Sequence, residues 1–356
     1  MEYIQIELPY KMRNNVLALG AQSKSAFCFA AGNAAYLSDF GGNLGELENF
    51  KKFEGQLKAL RKELKIKLDT IACDLHPGYI STGYAPRIAD GLPVVKVQHH
   101  EAHIASCMAE NKIKGKVIGV AFDGTGFGRD GNIWGGEFFI GGIKGFKRAA
   151  HLKYVPMPGG EAAIREPWRM AFSYLYAIGG GTRKTRNDII RQMIDKKINT
   201  PLTSSMGRLF DGISSLIGIC DIARYEGEAA IKLEKIMEGV GHYKFNYDYK
   251  NEIIIIDWGP VIKSIVKDLK RGIKKPEISL KFHNGVCDMI KDVCGLLRKK
   301  YKIRKACISG GVFQNKYLSG RIKPILEEEG FDVYAHEKVP AHDGGIALGQ
   351  AILAGV

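Results

Sequence analysis

No two of the seven cysteines stand in a C-x-x-C pair; Cys28, Cys73, Cys107, Cys220, Cys287, Cys294 and Cys307 are scattered along the chain. That spacing argues against a structural zinc cluster and against a disulfide framework. Buried, reduced thiols are the simplest reading, and nothing marks any of them as a nucleophile. No uninterrupted apolar run approaches the roughly 18 residues that span a bilayer. The segment MEYIQIELPYKMRNN carries charges throughout and lacks both an apolar core and a small-residue cleavage site. A secretion signal is therefore not expected there, and a cytoplasmic protein is. Low-complexity linkers are missing too, so an internal boundary has to be read from pattern alone.

What is there fits a folded protein with two parts. At roughly 100–200 residues per domain, 356 residues leave room for two domains or two lobes around a cleft. The formal net charge of +14 is the one compositional oddity. It is compatible with nucleic acid, an acidic partner or an anionic nucleotide. The basic residues do not gather into one block, as RKELKIKLD and RGIKKPE illustrate, so charge alone selects none of these.

Two segments share a design. Residues 16–37 (VLALGAQSKSAFCFAAGNAAYL) and 117–141 (VIGVAFDGTGFGRDGNIWGGEFFIG) each read as strand, small polar or Gly-rich turn, strand. A third strand is expected soon after the first of these pairs. Each segment opens a stretch of mixed helices and strands, as a duplicated α/β fold would, with the boundary near residue 115. LENFKKFEGQLKALRKEL (47–64) has helical apolar spacing. DTIACDLHPGYIST reads as a buried strand running into a turn at Pro77-Gly78, and LPVVKV as a buried strand running into a helix over QHHEAHIASCMAE. Residues 160–200 and 203–240 look helical. KYKIRKACISGGVFQN reads as strand, Gly turn and a helix beginning near Val312. FDVYAHEKVPAHDGGIALGQAIL reads as strand, loop and closing helix.

Chemistry concentrates at a few of these junctions. His99 and His103 are four apart in QHHEAH, so on a helix their rings share a face and can chelate one metal, while His100 points elsewhere. The order is not the H-E-x-x-H of a zinc protease. Such a site needs another ligand and usually an open position. Asp123 in FDGTGFG and Asp343 in AHDGGIALGQA sit where strand meets Gly-rich turn; satisfied turn aspartates are the alternative. In ISGGVFQN, Gly310, Gly311 and free amides at a helix start suit a nucleotide cradle, with Asn315 available to a phosphate or sugar. Asp211 in SSMGRLFDG and the Gly227-Glu228 turn offer ribose acceptors, or are simply helix caps.

QHHEAH, FDGTGFGRDGNIWGGEF, PMPGGEAAIREPWRMA, SSMGRLFD, YEGEAAIKLE, SGGVFQN and AHDGGIALGQA, in this order, resemble the motif series of the HypF family of hydrogenase-maturation carbamoyltransferases. The likeness is to the part of those proteins similar to the tRNA threonylcarbamoyl-adenosine enzymes of the TsaD type, and it runs from about residue 16 to the C-terminus. The PGGEAAIREPWRMA tract separates it from the tRNA-modifying branch. The resemblance implies an actin/sugar-kinase-like (ASKHA) α/β fold, two similar lobes (15–114 and 115–356) with a nucleotide cleft between them and the C-terminal segment returning to that cleft.

By motif position it implies His99, His103 and Asp343 as metal ligands, with Asp123 joining them or lying beside the substrate. Catalysis would rest on His99, His103 and Asp123. Gly310, Gly311, Asn315 and Gly344 would hold the adenylate, with Asp211, Gly227 and Glu228 near ribose or base. The implied cofactors are one divalent metal, iron or zinc, and ATP, AMP or carbamoyl-adenylate, with room for magnesium. The implied partners are a HypE-type acceptor, whose C-terminal cysteine takes the carbamoyl group on the way to cyanide ligands, and a separate YrdC-like adenylate-forming protein. Neither a membrane nor nucleic acid is expected as a partner. Acylphosphatase, zinc-finger and YrdC-like segments are lacking, so the transfer half-reaction alone is expected. The first hairpin also departs from the family pattern, reading LGAQSKSAF in place of LGGE followed by Lys and Thr. Other readings are a tRNA threonylcarbamoyl transferase using the +14 charge as a tRNA footprint, a nucleotide-binding actin-like regulator, and a small-molecule O-carbamoyltransferase.

Overall fold

The computed structural model describes residues 2–39, 41–180 and 186–356, and its strands form two mixed sheets. The first contains β1 (Tyr3–Glu7), β2 (Val16–Ala18), β3 (Cys28–Ala31), β4 (Ala34–Ser38), β5 (Thr70–Asp74) and β6 (Val94–Val97), in the order β1-β4-β3-β2-β5-β6. The second contains β7 (Val117–Phe127), β8 (Ile133–Gly142), β9 (Gly145–Leu152), β10 (Val155–Pro156), β11 (Leu202–Thr203), β12 (Asn246–Lys250), β13 (Ile253–Asp257), β14 (Lys305–Ser309) and β15 (Asp332–Tyr334). Its main path is β12-β13-β9-β8-β7-β14-β15.

Inside both sheets lies one pattern of five strands. In the first, β2, β3 and β4 form an antiparallel meander, and β5 and β6 join β2 in parallel. In the second, β7, β8 and β9 form the meander, and β14 and β15 join β7 in parallel. The spatial order third-second-first-fourth-fifth is thus used twice, and the two Gly-containing hairpins are the equivalent first steps. Parallel neighbours need crossover connections, which helices supply. In the first sheet these are α1 (Leu47–Leu64) and α2 (Ile80–Ile88). Phe53, Leu57 and Leu60 are the buried residues of α1, at the i, i+4, i+7 spacing of one helical face. Arg61 and Lys62 lie in its last turn, and Lys65 closes it in the left-handed conformation.

The second part carries more helices: α3 (His99–Glu110) precedes it, then α4 (Ala162–Arg165), α5 (Pro167–Ala177), α6 (Arg186–Asp195), α7 (Met206–Leu216), α8 (Glu228–Lys235), α9 (Gly259–Lys270), α10 (Lys275–Tyr301), α11 (Lys316–Glu328) and α12 (Ile346–Gly355). The stretches 160–200 and 203–240 are therefore helical only in pieces, because Pro167 restarts a helix and Gly218 and Gly227 adopt positive φ between others. Residues 181–185 of the first stretch lie outside the described residues. The helix expected from Val312 is also corrected. A 3-10 turn spans Gly311–Gln314, and the α-helix starts at Lys316 with Asn315 as its cap.

The helix that closes each five-strand pattern packs on the other sheet. From α3, Ile104, Cys107 and Met108 bury against Val117, Ala121, Phe139 and Cys307 of the second sheet. From α12, Ile346, Ala347, Leu348, Ala351 and Ile352 bury with Val16, Ala18, Cys28, Ala30 and Ala72 of the first. The two helices touch where Gly349 meets Ala102. A Cβ built at Gly349 would stand 1.8 Å from the Ala102 carbonyl oxygen, so only glycine permits this approach. Among the described residues no helix is long and apolar enough to cross a membrane.

Candidate active site

The first element of the site is the start of α3. Gln98 caps it, its side-chain oxygen accepting the amides of His100 (2.8 Å) and Glu101 (3.0 Å) and so satisfying two donors that a helix start leaves free. The four-residue spacing then sets His99 and His103 on one face. Asp123 enters from β7, at an irregularity where the β7–β8 register shifts between Phe122 and Gly126. Asp343 enters from the turn that leads into α12. One donor atom from each of these four residues lies within 4.8 Å of all the others. His99 Nε2 is 3.3 Å from Asp123 Oδ2 and 3.7 Å from Asp343 Oδ1. His103 Nε2 is 3.8 Å from each of the same two oxygens. Ligands about 2.1 Å from a common ion stand roughly 3 to 3.5 Å apart, so a small inward adjustment would bring all four into range.

The partners behind these groups decide which atoms face inward. His99 Nδ1 is 2.8 Å from Asp74 Oδ2, which as a carboxylate must receive a proton and so leaves a lone pair on Nε2. Gly311 donates its amide to Asp123 Oδ1 (3.1 Å), leaving Oδ2 to the imidazoles. Ser23 donates to Asp343 Oδ2 (3.3 Å), leaving Oδ1 inward. His103 Nε2 is buried and has no hydrogen-bond partner. Two imidazole nitrogens and two carboxylate oxygens converging out of water repel one another unless protons or a cation lie between them. Their pKa values report the same tension. Burial pushes His99 down, but the charge of Asp74 and hydrogen bonds to Asp123, Asp343 and Asp74 more than reverse this and raise it well above its ordinary value. Burial likewise pushes Asp123 up, and His103 and His99 overcome it and hold the carboxyl far below its usual range. The donor set fits one divalent metal.

Beside the cluster lies a cavity of about 410 Å³. Asp123 belongs to both, and the walls include Gly124, Arg208, Asp211, Gly227, Glu234, Gly311, Val312 and Asn315 from the second part of the chain. Lys24, from the first hairpin, reaches across to Glu226 (2.9 Å) on the rim. Burial lowers its pKa, but Glu226 raises it further, with help from Asp343 and Asp123. The departing first hairpin thus places Lys24 at the cavity rim, and Ser23 beside it reaches the cluster.

The other sequence candidates divide. Asp211, Gly227, Gly311 and Asn315 reach the cavity. Asn315 is partly committed, its Oδ1 capping Leu318 and its Nδ2 donating to His283. Glu228 is not in the wall; it turns back to accept the Arg224 amide and pair with Lys232. Gly310 (φ +108) packs under the Phe122 carbonyl rather than in the wall, and Gly344 is buried at the α12 turn. Sequence reading missed Asp74, Arg208 and Lys24. Arg208 is buried, pairs with Asp211 at 2.8 Å, and keeps Nε and Nη1 without partners. Burial raises the Asp211 pKa and Arg208 lowers it, with burial prevailing.

Comparison with known proteins covers nearly the whole chain. Residues 11–110 match the HypF Kae1-like domain, and residues 119–350 match the second subdomain of the carbamoyltransferase Kae1-like domain. The chain belongs to the HypF carbamoyltransferase family. It is 35% identical to carbamoyltransferase HypF of Synechocystis over 98% of its own length and 48% of that protein's. It superposes on full-length HypF in the phosphate- and nucleotide-bound form with a TM-score of 0.94 at 41% identity, covering 98% of this chain and 56% of that one. For T. kodakarensis HypF the TM-score is 0.89 at 31% identity, over 99% of this chain and 49% of that one. The chain thus spans about half the length of these HypF proteins. The fold is the actin/sugar-kinase-like α/β fold.

Proposed function

We propose that this chain is a metal-assisted carbamoyltransferase that moves the carbamoyl group of carbamoyl-adenylate onto the C-terminal cysteine of a HypE-type acceptor. The observation that carries the reading is the double position of Asp123, in the four-donor cluster and in the wall of the cavity. In this reading His99, His103, Asp123 and Asp343 hold one divalent ion, iron or zinc. Residues 15–114 and 115–356 act as the two lobes, and the cavity takes the adenylate, with magnesium accompanying the nucleotide. The carbamoyl-adenylate comes from a YrdC-like adenylate-forming unit.

The chemistry is acyl transfer. The acceptor thiolate, its proton already released to solvent, bonds through sulfur to the carbamoyl carbon, the C–O bond of the mixed anhydride breaks, and AMP departs carrying the electron pair. A bound divalent ion would supply Lewis-acid stabilisation of the charge that builds on oxygen. The chain's own groups do the rest. Asp74 keeps His99 in the Nδ1–H form, and the Gly311 amide holds Asp123. Lys24 leaves Glu226 for the phosphate, adding a cation where the leaving group gains charge. All seven thiols are buried and none lines the cavity, which agrees with a nucleophile brought by the acceptor.

A single-turnover assay tests this. Metal-loaded protein and its His99→Ala/His103→Ala variant are given synthetic carbamoyl-adenylate and a HypE-type acceptor, and the acceptor is weighed by mass spectrometry. Carbamoylation of the terminal cysteine with the parent protein, falling at least about 10³-fold in the variant, is expected from several kcal/mol of metal stabilisation. No transfer, with modification of tRNA in its place, would sink the reading.

A further inference from the structure

A second line of polar side chains leads away from His103 along α3. Ser309 Oγ, at the end of β14, lies 3.4 Å from His103 Nδ1 and 2.9 Å from His336 Nε2. His336 Nδ1 lies 2.8 Å from Oε2 of Glu110, the last residue of α3. The other Glu110 oxygen accepts the amides of Glu337, Lys338 and Val339. Ser309 is fully buried, and the His336 and Glu110 side chains are 3% and 8% exposed. These groups sit outside the cavity wall and outside the four-donor cluster.

With His336 neutral, and with the Ser309 hydroxyl preferring His336 Nε2 at 2.9 Å to its other acceptor, the Ala341 carbonyl at 3.5 Å, the protons along this line fall into one order. Glu110, ionised, only accepts, so His336 carries its proton on Nδ1 and offers a lone pair on Nε2. The Ser309 hydroxyl donates to that lone pair. Its oxygen is then left to accept from His103 Nδ1–H, which puts the His103 lone pair on Nε2, facing Asp123 and Asp343. Glu110 thus acts twice. Through His336 and Ser309 it selects the His103 tautomer, and through three amides it ties the loop leading to Asp343 to the helix that carries His99 and His103.

We propose that Glu110, His336 and Ser309 form a positioning relay that sets His103 as an Nε2 metal donor and holds the loop bearing Asp343 at the correct distance from α3. The inference rests on the metal reading above. Residues behind a metal-ligating histidine typically change metal affinity 10- to 100-fold when removed.

Two readouts test it, neither of them activity. The first is the ring tautomer of His103 in metal-free protein, read from long-range ¹H–¹⁵N spectra of histidine-labelled chain at alkaline pH. Parent protein should show the Nδ1–H form, and Ser309→Ala and His336→Leu should lose that preference. The second is affinity for zinc or cobalt(II), read by chelator competition. Both variants should bind roughly 10- to 100-fold more weakly at unchanged stoichiometry, while Glu110→Gln, which keeps an amide-accepting oxygen, should fall between them and the parent. Thermal melts check folding, and His336→Leu provides the answer if Ser309→Ala fails to fold. Unchanged tautomer and unchanged affinity in the variants would overturn the relay. A parent that binds no metal, yet shows the expected tautomer change, would overturn the metal reading and leave the relay standing.

Discussion

Two strand-to-helix junctions meet at the four-donor cluster, and they are built by different means. Between β6 and α3 a single residue, Gln98, makes the turn and caps the helix with its own side chain. Between β15 and the turn at Asp343 eight residues intervene, and the amides of three of them are held by Glu110 from another element. The first junction gets its geometry from backbone adjacent in sequence. The second borrows it from a helix more than 220 positions away. A histidine pair on a helix face is therefore fixed by local rules, whereas a carboxylate on a loop needs contacts that only the finished fold supplies.

The contrast can be broken at graded strengths. The largest effect is expected at the loop junction itself. Asp343→Ala removes one of four converging donors and should lower metal occupancy and cut carbamoyl transfer by on the order of 10³-fold, measured by elemental analysis and the single-turnover assay. Next comes the crossing that keeps the junctions together. Gly349→Val forces side-chain atoms onto the Ala102 carbonyl. It should cost about 1–3 kcal/mol or more, read as a lower urea midpoint.

An effect of similar size concerns pH. His99 and His103 face carboxylates, but His283 on α10 faces the Ser279 carbonyl and the Asn315 amide, and burial pushes its pKa down to about 4. As pH falls below about 6.5, the unfolded chain takes up a proton here before the folded one does. Stability should therefore drop from pH 6.5 toward pH 4, by up to about 1.4 kcal/mol per pH unit. His283→Gln should flatten that part of the urea-midpoint profile. The smallest effect belongs to the exposed Lys112–Glu7 pair, 55% and 69% exposed. Lys112→Ala should leave the urea midpoint almost unchanged. A larger change would mean that surface charge, not the helix crossing, holds the two sheets together.

Legibility in the sequence follows the same division. The His99/His103 spacing, the α1 stripe and the two Gly-containing hairpins are periodic or adjacent features, and each appears where pattern predicts it. Asp74 was hidden because it ends a wholly buried strand, TIACD, with no local mark of a polar role; its partner His99 is 25 residues on. Arg208 stood in plain view in SSMGRLFD, but the three-residue step to Asp211 reads equally well as a surface pair until burial is known. The Val312 helix start failed because Gly310 and Gly311 allow a tighter turn first, and Asn315 supplies a better cap. The exchange of closing helices had no signature at all. It depends on which sheet each apolar helix meets, and α12, apolar on nearly every face, fits either by composition.

That exchange bears on how the chain is made and lost. Residues up to 97 complete a six-strand sheet but receive α12, which covers one face of it, only when residues 346–355 arrive. The first sheet emerges from the ribosome long before its cover and waits with Val16, Ala18 and Ala72 unprotected. Melting should then be a single cooperative event, because withdrawing either helix uncovers the other half's interior. A nascent chain halted before residue 346 becomes a natural client for chaperones.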